Sequence, residues 1–253
     1  MKKLKIGIIG VGRLGYEHAC NIANRVPGSE LVAIADANFD RAKQVAEELS
    51  VTAVYNDPKA LCADPNVEAV AIITNTASHV EMIKIAMDAG KHVFCEKPLA
   101  DTVEKCKEAE AIIAAHPELT FMLGFMRRYD HSYQVAKKKM ENGDIGDVIL
   151  VRCYSQDPIS IIEGTLEYAP RSGGQFIDMS IHDFDLIRWL TGSEVKELWA
   201  TGGCYEFKQY KDWDDGDNVS GLMKMENDAM AFFFAGRAAA HGSHVETEIV
   251  GTR

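Results

Sequence analysis

The sequence predicts an α/β protein in two parts: an N-terminal doubly wound parallel sheet, then a C-terminal α+β domain with a mainly antiparallel sheet. Three observations carry this. Over the first half, short apolar runs alternate with amphipathic stretches, the pattern of parallel strands covered by helices on both faces. After Gly124 the texture changes, and three strand-like runs follow one another with polar turns between them. The length of 253 residues suits one large domain or two modest ones. The boundary is expected at 124, giving domains of residues 1–123 and 124–253.

Leu4–Ile9 reads as the first strand, Arg13–Arg25 as a helix, Leu31–Ala35 as a strand and Phe39–Leu49 as a helix. Val67–Thr74 is a long buried strand, and the helix from Ala77 to Ala89 is stopped by Gly90. His92–Cys95, Thr102–Ala115 and Leu119–Leu123 continue the alternation of strand, helix and strand. In the second part, a helix over Ser132–Asn142 ends at Gly143, and Asp147–Tyr154 alternates as a strand. Gly174–Leu190 reads as one strongly apolar helix, followed by strands Val195–Cys204, Asn218–Met225 and Ala229–Gly236.

Composition narrows the function classes. The net charge is −11, and the one basic run is Lys137-Lys138-Lys139, which argues against a nucleic-acid partner. No run approaches the roughly 18 apolar residues that span a bilayer, and the apolar stretch Ile6–Val11 is too short and glycine-broken for a secretory signal. The six cysteines are scattered without a Cys-x-x-Cys pair, as in reduced thiols of a cytoplasmic protein. No metal site is expected. His241 and His244 should lie on opposite faces of a strand, and the acidic run Asp212–Asp217 lacks the Gly and Glu of a calcium loop and reads as a hairpin turn.

Gly10-Val11-Gly12-Arg13-Leu14-Gly15 closes the first strand and opens the first helix. Gly10 permits the tight turn, Gly12 lets backbone approach a pyrophosphate, and Gly15 lets helix pack on strand. Asp36 ends the second strand about 20 residues past the glycines, where it can accept hydrogen bonds from an adenosine ribose and repel a 2′-phosphate. This is the Rossmann fingerprint, and it favours NAD over NADP. The competing reading is a purely structural glycine turn with a helix-capping Asp.

Cys95-Glu96-Lys97-Pro98 lies at the carboxyl end of a parallel strand, the rim where open α/β sheets bind ligands. Lys97 there can stabilise developing alkoxide charge, although taken alone it reads as a solvated loop lysine. Asp178 and His182 stand at i and i+4 of the apolar helix and share one face. They read equally as an acid–base unit or as an internal hydrogen bond that fixes the helix.

Together, the glycine motif, Glu96-Lys97-Pro98 and Gly173-Gly174-x-x-x-Asp178-x-x-x-His182-Asp183 resemble the Gfo/Idh/MocA oxidoreductase family, from residue 4 to the end of the chain. Gly12-Arg13-Leu14-Gly15 with His18-Ala19-x-Asn21, Gly124-Phe125-Met126-Arg127-Arg128-Tyr129-Asp130 and Asp178-Met179-x-Ile181-His182-Asp183-Phe184-Asp185 resemble its inositol 2-dehydrogenases more narrowly. The resemblance implies Lys97, Asp178 and His182 as the catalytic residues. It implies cofactor contacts from Gly10, Gly12, Arg13, Leu14, Gly15 and Asp36, and a nicotinamide side lined by Thr74, Asn75, His79 and Glu96. Arg127 matches a substrate-side position, and Asp157 is a weaker candidate for substrate hydroxyls. The implied reaction is NAD-dependent oxidation of a secondary alcohol of a cyclic polyol, myo-inositol to its 2-keto product, in a homo-oligomer if the second domain is complete.

Two features depart from the family pattern. Its members continue well beyond Glu248-Ile249-Val250-Gly251, so the second domain is expected to be incomplete at its C-terminal end. Inositol relatives often carry aromatic residues where this chain has His241-Gly242-Ser243-His244, so another sugar or polyol is the alternative substrate. A non-catalytic NAD-binding sensor is the alternative from another class; it would not need Lys97, Asp178 and His182. Tyr133-x-x-x-Lys137 matches the Tyr-x-x-x-Lys of short-chain dehydrogenases, but the chain lacks their Thr-Gly-x-x-x-Gly-x-Gly turn, and the pair reads as one face of a solvated helix.

Overall fold

The computed structural model describes residues 2–253; residue 1 of the first expected domain lies outside the described residues. The chain divides into two compact units, Met1–Gly124 and Phe125–Arg253.

The first unit runs β1 (Leu4–Ile9), α1 (Arg13–Asn24), β2 (Ser29–Ala35), α2 (Phe39–Glu48), β3 (Ala53–Tyr55), α3 (Pro58–Ala63), β4 (Ala69–Ile72), α4 (His79–Asp88), β5 (His92–Cys95), α5 (Val103–Ala114) and β6 (Phe121–Leu123). Its six strands form one parallel sheet in the order β3-β2-β1-β4-β5-β6. Alternation of side chains across the sheet divides the core in two. Ile9, Val70, Ile72 and Val93 pack with Leu61 of α3 and Ile83, Ala86 and Met87 of α4. Ile8, Ile34 and Ala71 face the other way, onto Ala19 of α1 and Ala42 and Val45 of α2. Side-chain caps mark the starts of α2 and α5: Asn38 accepts from the Arg41 N–H and Thr102 from the Lys105 N–H. The chain order reverses between β1 and β4, which opens a crevice at their carboxyl ends.

Sequence reading misses β3 and α3. A three-residue strand is too short to show a period, but α3 carries a readable start, Asp57 capping the Lys59 N–H with Pro58 in the first turn.

The second unit comprises α6 (His131–Glu141), β7 (Val148–Pro158), α7 (Ile162–Tyr168), α8 (Gln175–Asp178), α9 (Ile181–Thr191), β8 (Val195–Gly203), β9 (Asn218–Met225), β10 (Met230–Ala239) and β11 (His244–Gly251). The sheet order is β11-β7-β10-β9-β8. Only the β7–β10 pair is parallel; the other three pairs are antiparallel. Leu186, Ile187 and Leu190 of α9 pack on Val151, Cys153, Val219, Met223, Ala231 and Phe233, with the Phe184 ring edge-on to Phe233 at 4.9 Å.

Four expectations are corrected here. The apolar stretch 174–190 is not one helix: α8 is a single turn, and α9 begins after Met179-Ser180. The Ser180 N–H reaches back five residues to the Gln175 carbonyl, while His182 and Asp183 reach only three, to Met179 and Ser180. No Gly or Pro marks this irregularity, and continuous apolar character conceals it. The α6 face is not solvated, because the Tyr133 hydroxyl lies 3.0 Å from Thr247 Oγ1 and Lys137 donates to the Trp189 carbonyl. His241 and His244 do not point apart: the chain turns at residues 240–241, β11 begins only at His244, and the ring centroids lie 5.5 Å from each other. The acidic run is not a plain hairpin turn, since a six-residue 3₁₀ helix (Lys208–Trp213) precedes a fully buried Asp217.

All six cysteines are free. Cys62 and Cys95 in the first unit and Cys153 in the second are buried, and burial pushes all three thiols well above their ordinary pKa.

Candidate functional site

In the first unit, the predicted cofactor residues gather along the carboxyl edge of the sheet. The loop Gly10–Gly15 follows β1, Asp36 follows β2, Thr74 and Asn75 follow β4, and Glu96 and Lys97 follow β5.

The three glycines differ in what compels them. Gly10 has φ +90°, and a Cβ there would lie 2.5 Å from the Ile73 carbonyl oxygen. A Cβ on Gly15 would lie 2.0 Å from the Gly10 carbonyl oxygen, so α1 and the turn meet backbone to backbone. Gly12 has φ −62°, and a Cβ there would meet nothing within 4 Å. The fold therefore does not require glycine at residue 12. Its bare backbone opens α1, whose first turn no side chain caps, and uncapped N–H groups at a helix start are an anion site. Arg13 and Leu14 are exposed beside it. These residues fit a dinucleotide, whose pyrophosphate Gly12 and the start of α1 would hold.

Asp36 is half-buried and holds the loop as well as facing solvent. One carboxylate oxygen accepts the Val11 N–H at 2.7 Å and the other the Asn38 N–H at 2.8 Å. Asn38, not Asp36, caps α2. Arg41 donates to the Val11 carbonyl and lies over the Tyr16 ring.

Glu96 joins two elements, with Oε1 2.9 Å from His18 Nε2 of α1 and Oε2 accepting the Lys97 N–H at 3.0 Å. His79 is 1% exposed. Its Nδ1 lies 2.8 Å from the Pro98 carbonyl oxygen and its Nε2 3.3 Å from that of Thr74, so it ties the β4 turn to the segment after Lys97. Burial lowers its pKa, against the raising effect of those carbonyls. The neutral ring donates through Nδ1 to the nearer oxygen.

In the second unit, the break between α8 and α9 sets Asp178 and His182 on successive turns, both half-buried. The Phe125 ring stands edge-on to His182 at 6.4 Å. Arg127 is buried and points at protein: Nη1 donates to Asp183 Oδ1 at 2.5 Å and Nη2 to Ser155 Oγ at 2.8 Å. Asp157 is the next-to-last residue of β7, among the charges that act on Tyr210.

Sequence reasoning missed Arg237, a 2%-exposed guanidinium whose Nη2 lies 3.1 Å from Asp178 Oδ2. A signal was present: Ala231, Phe233, Ala235 and Arg237 fall on one face of β10 by period two. It also missed Asp217, which accepts the N–H groups of Tyr205, Glu206 and Phe207 and the side-chain amide of Asn218.

A parallel sheet with this glycine turn, an acid after β2 and a lysine after β5 defines a dinucleotide-dependent oxidoreductase. Comparison with known proteins gives the family. Residues 4–125 match the oxidoreductase family NAD-binding Rossmann fold of the Gfo/Idh/MocA group, and residues 133–253 match its C-terminal domain. The chain belongs to the Gfo/Idh/MocA family of oxidoreductases, and its cofactor is NAD. It is 34% identical to scyllo-inositol 2-dehydrogenase (NAD(+)) of Bacillus subtilis, over 99% of this chain and 72% of that protein. To myo-inositol 2-dehydrogenase of Thermotoga maritima it is 35% identical, over 99% of this chain and 73% of that protein. The crystal structure of scyllo-inositol dehydrogenase from Lactobacillus casei with NAD(H) and scyllo-inositol matches with TM-score 0.94 and 42% identity, covering 99% of this chain and 74% of that one.

Proposed function

We propose that the protein oxidises a secondary hydroxyl of a cyclic polyol with NAD, and that an inositol, myo-inositol first, is its substrate. The observation that carries this reading is the retention of Lys97, Asp178 and His182 in the family's pattern, each half-buried at the end or break of an element. NAD, when bound, supplies the hydride acceptor.

The chain's own residues supply the rest. His182 takes the hydroxyl proton, a task an imidazole suits near neutral pH. Lys97 stabilises the developing negative oxygen, and Asp178 orients a neighbouring hydroxyl or His182. Glu96, Thr74 and Asn75 line the nicotinamide side, and His79 braces that rim from beneath. Arg127 supports the substrate side through Asp183 and Ser155, and Asp157 addresses substrate hydroxyls. The 1–123 and 124–253 parts serve cofactor and substrate respectively. The free thiols suit a cytoplasmic protein.

The test is NADH formation with myo-inositol, scyllo-inositol and glucose, each run with NAD and with NADP. Turnover of an inositol with NAD supports the reading. Preference for glucose makes it a sugar dehydrogenase of the same family, and NAD binding without turnover of any of the three favours a sensor.

A further inference from the structure

Arg237 is among the largest fully buried side chains of the protein. A buried guanidinium is tolerated only where carboxylates and hydrogen bonds offset its desolvation. Asp178 provides the direct pair, Nη2 to Oδ2 at 3.1 Å. The guanidinium also lies 6.0 Å from the Tyr210 ring. Burial raises the Tyr210 phenol to a pKa of about 12, with Arg237 opposing and Asp215, Asp217 and Asp157 adding to the rise. One cation is therefore set among several acids.

The two partners differ in how firmly their backbones are held. Arg237 sits in β10, and its N–H donates to the carbonyl of Asp217, the acid that gathers three N–H groups of 205–207. Asp178, by contrast, ends a one-turn helix between Gly174, at φ +87°, and the break at Met179-Ser180. A helix of one turn does little to fix its own last residue. Arg237, on the strand, adds a side-chain hold on it.

We propose that Arg237 is a positioning residue for the reaction: from strand β10 it fixes the orientation of the Asp178 carboxylate. Buried to 2% exposure, it acts through Asp178 and not on the substrate. This rests on the reading of Asp178 as a catalytic residue, and it assigns the setting of that residue to the sheet.

The experiment is a double-mutant cycle on the full chain with NAD and the best polyol, using Arg237→Met, Asp178→Asn and the double variant. Arg237→Met is expected to lower kcat at least about tenfold, within the range of direct coupling between contacting residues, with KM for NAD unchanged. In the Asp178→Asn background the same change should cost less than about threefold. Arg237→Lys should restore part of kcat, and added guanidinium should rescue Arg237→Ala. Equal losses in both backgrounds, or a full kcat in Arg237→Met while Asp178→Asn is impaired, would overturn the proposal. If Arg237→Met does not fold, the cycle run with Arg237→Lys and the guanidinium rescue decide it by the same criteria. An unimpaired Asp178→Asn would overturn the underlying reading of Asp178, a result distinct from failure of Arg237.

Discussion

Arg127 and Asp183 form a buried ion pair in which one side chain is 9% exposed and the other not at all, and Ser155 bonds to both. Burial raises the Asp183 pKa, and Arg127 and Ser155 oppose the rise. Arg127→Met should therefore destabilise the second unit by about 3–5 kcal/mol, the cost of leaving one partner of a buried pair alone, as read from urea unfolding. A variant of unchanged stability with a raised KM for polyol would instead make Arg127 a direct substrate contact.

The glycine turn should separate folding from binding. Gly12→Ala meets open space at an ordinary φ, so its melting free energy should stay within about 1 kcal/mol of wild type, while NAD affinity falls at least about tenfold because the backbone no longer approaches the pyrophosphate. Gly10→Ala and Gly15→Ala drive a methyl into backbone oxygens and should lose stability first. Calorimetric titration with NAD beside thermal melts checks the division.

Lys97→Ala should abolish turnover while NAD binding largely survives, since Lys97 is given a role at the reacting oxygen and none at the pyrophosphate. Glu96→Ala removes the acceptor of the Lys97 N–H and the partner of His18, and should lower kcat about tenfold, the scale of one hydrogen bond to a charged group. Glu96→Gln keeps an oxygen acceptor and should lose less. Steady-state kinetics with isothermal NAD titration measure both; equal loss of NAD binding in Lys97→Ala would contradict the assignment.

Asp217 sets a pH dependence. Burial raises its pKa, but the N–H groups of Tyr205, Phe207 and Glu206 and the Asn218 amide outweigh burial and leave it below the ordinary value. A depressed carboxylate stabilises the fold above its unfolded pKa of about 3.9, and that contribution is lost as pH falls through the lower folded value. Asp217→Asn should weaken the second unit at neutral pH and flatten its stability below about pH 4. Denaturant midpoints measured across this range test the sign.

What the sequence disclosed and what it concealed divide by mechanism. Gly10, Gly12, Gly15 and Asp36 are legible because backbone geometry and one charge at fixed spacing suffice to write them. The alternation β1-α1-β2-α2 is legible because both sheet faces are buried and each strand is a plain apolar run. The break at Met179-Ser180 is concealed because buried helix and buried irregularity use the same residues. Asp217 is concealed because an acid that gathers backbone N–H groups looks, in sequence, like one in water. Arg237 lies between: its parity on β10 was visible, but its partner, 59 residues away, was not.

The buried thiols turn the two-unit division into something that can be timed. Cys62 and Cys95 report from one unit and Cys153 from the other. Each is protonated and shielded at neutral pH, so a thiol reagent reaches it when its surroundings open. Under native conditions the labelling rate at each cysteine is thus a clock for the opening of its own half, and a single reaction followed by mass spectrometry yields two local stabilities from one chain.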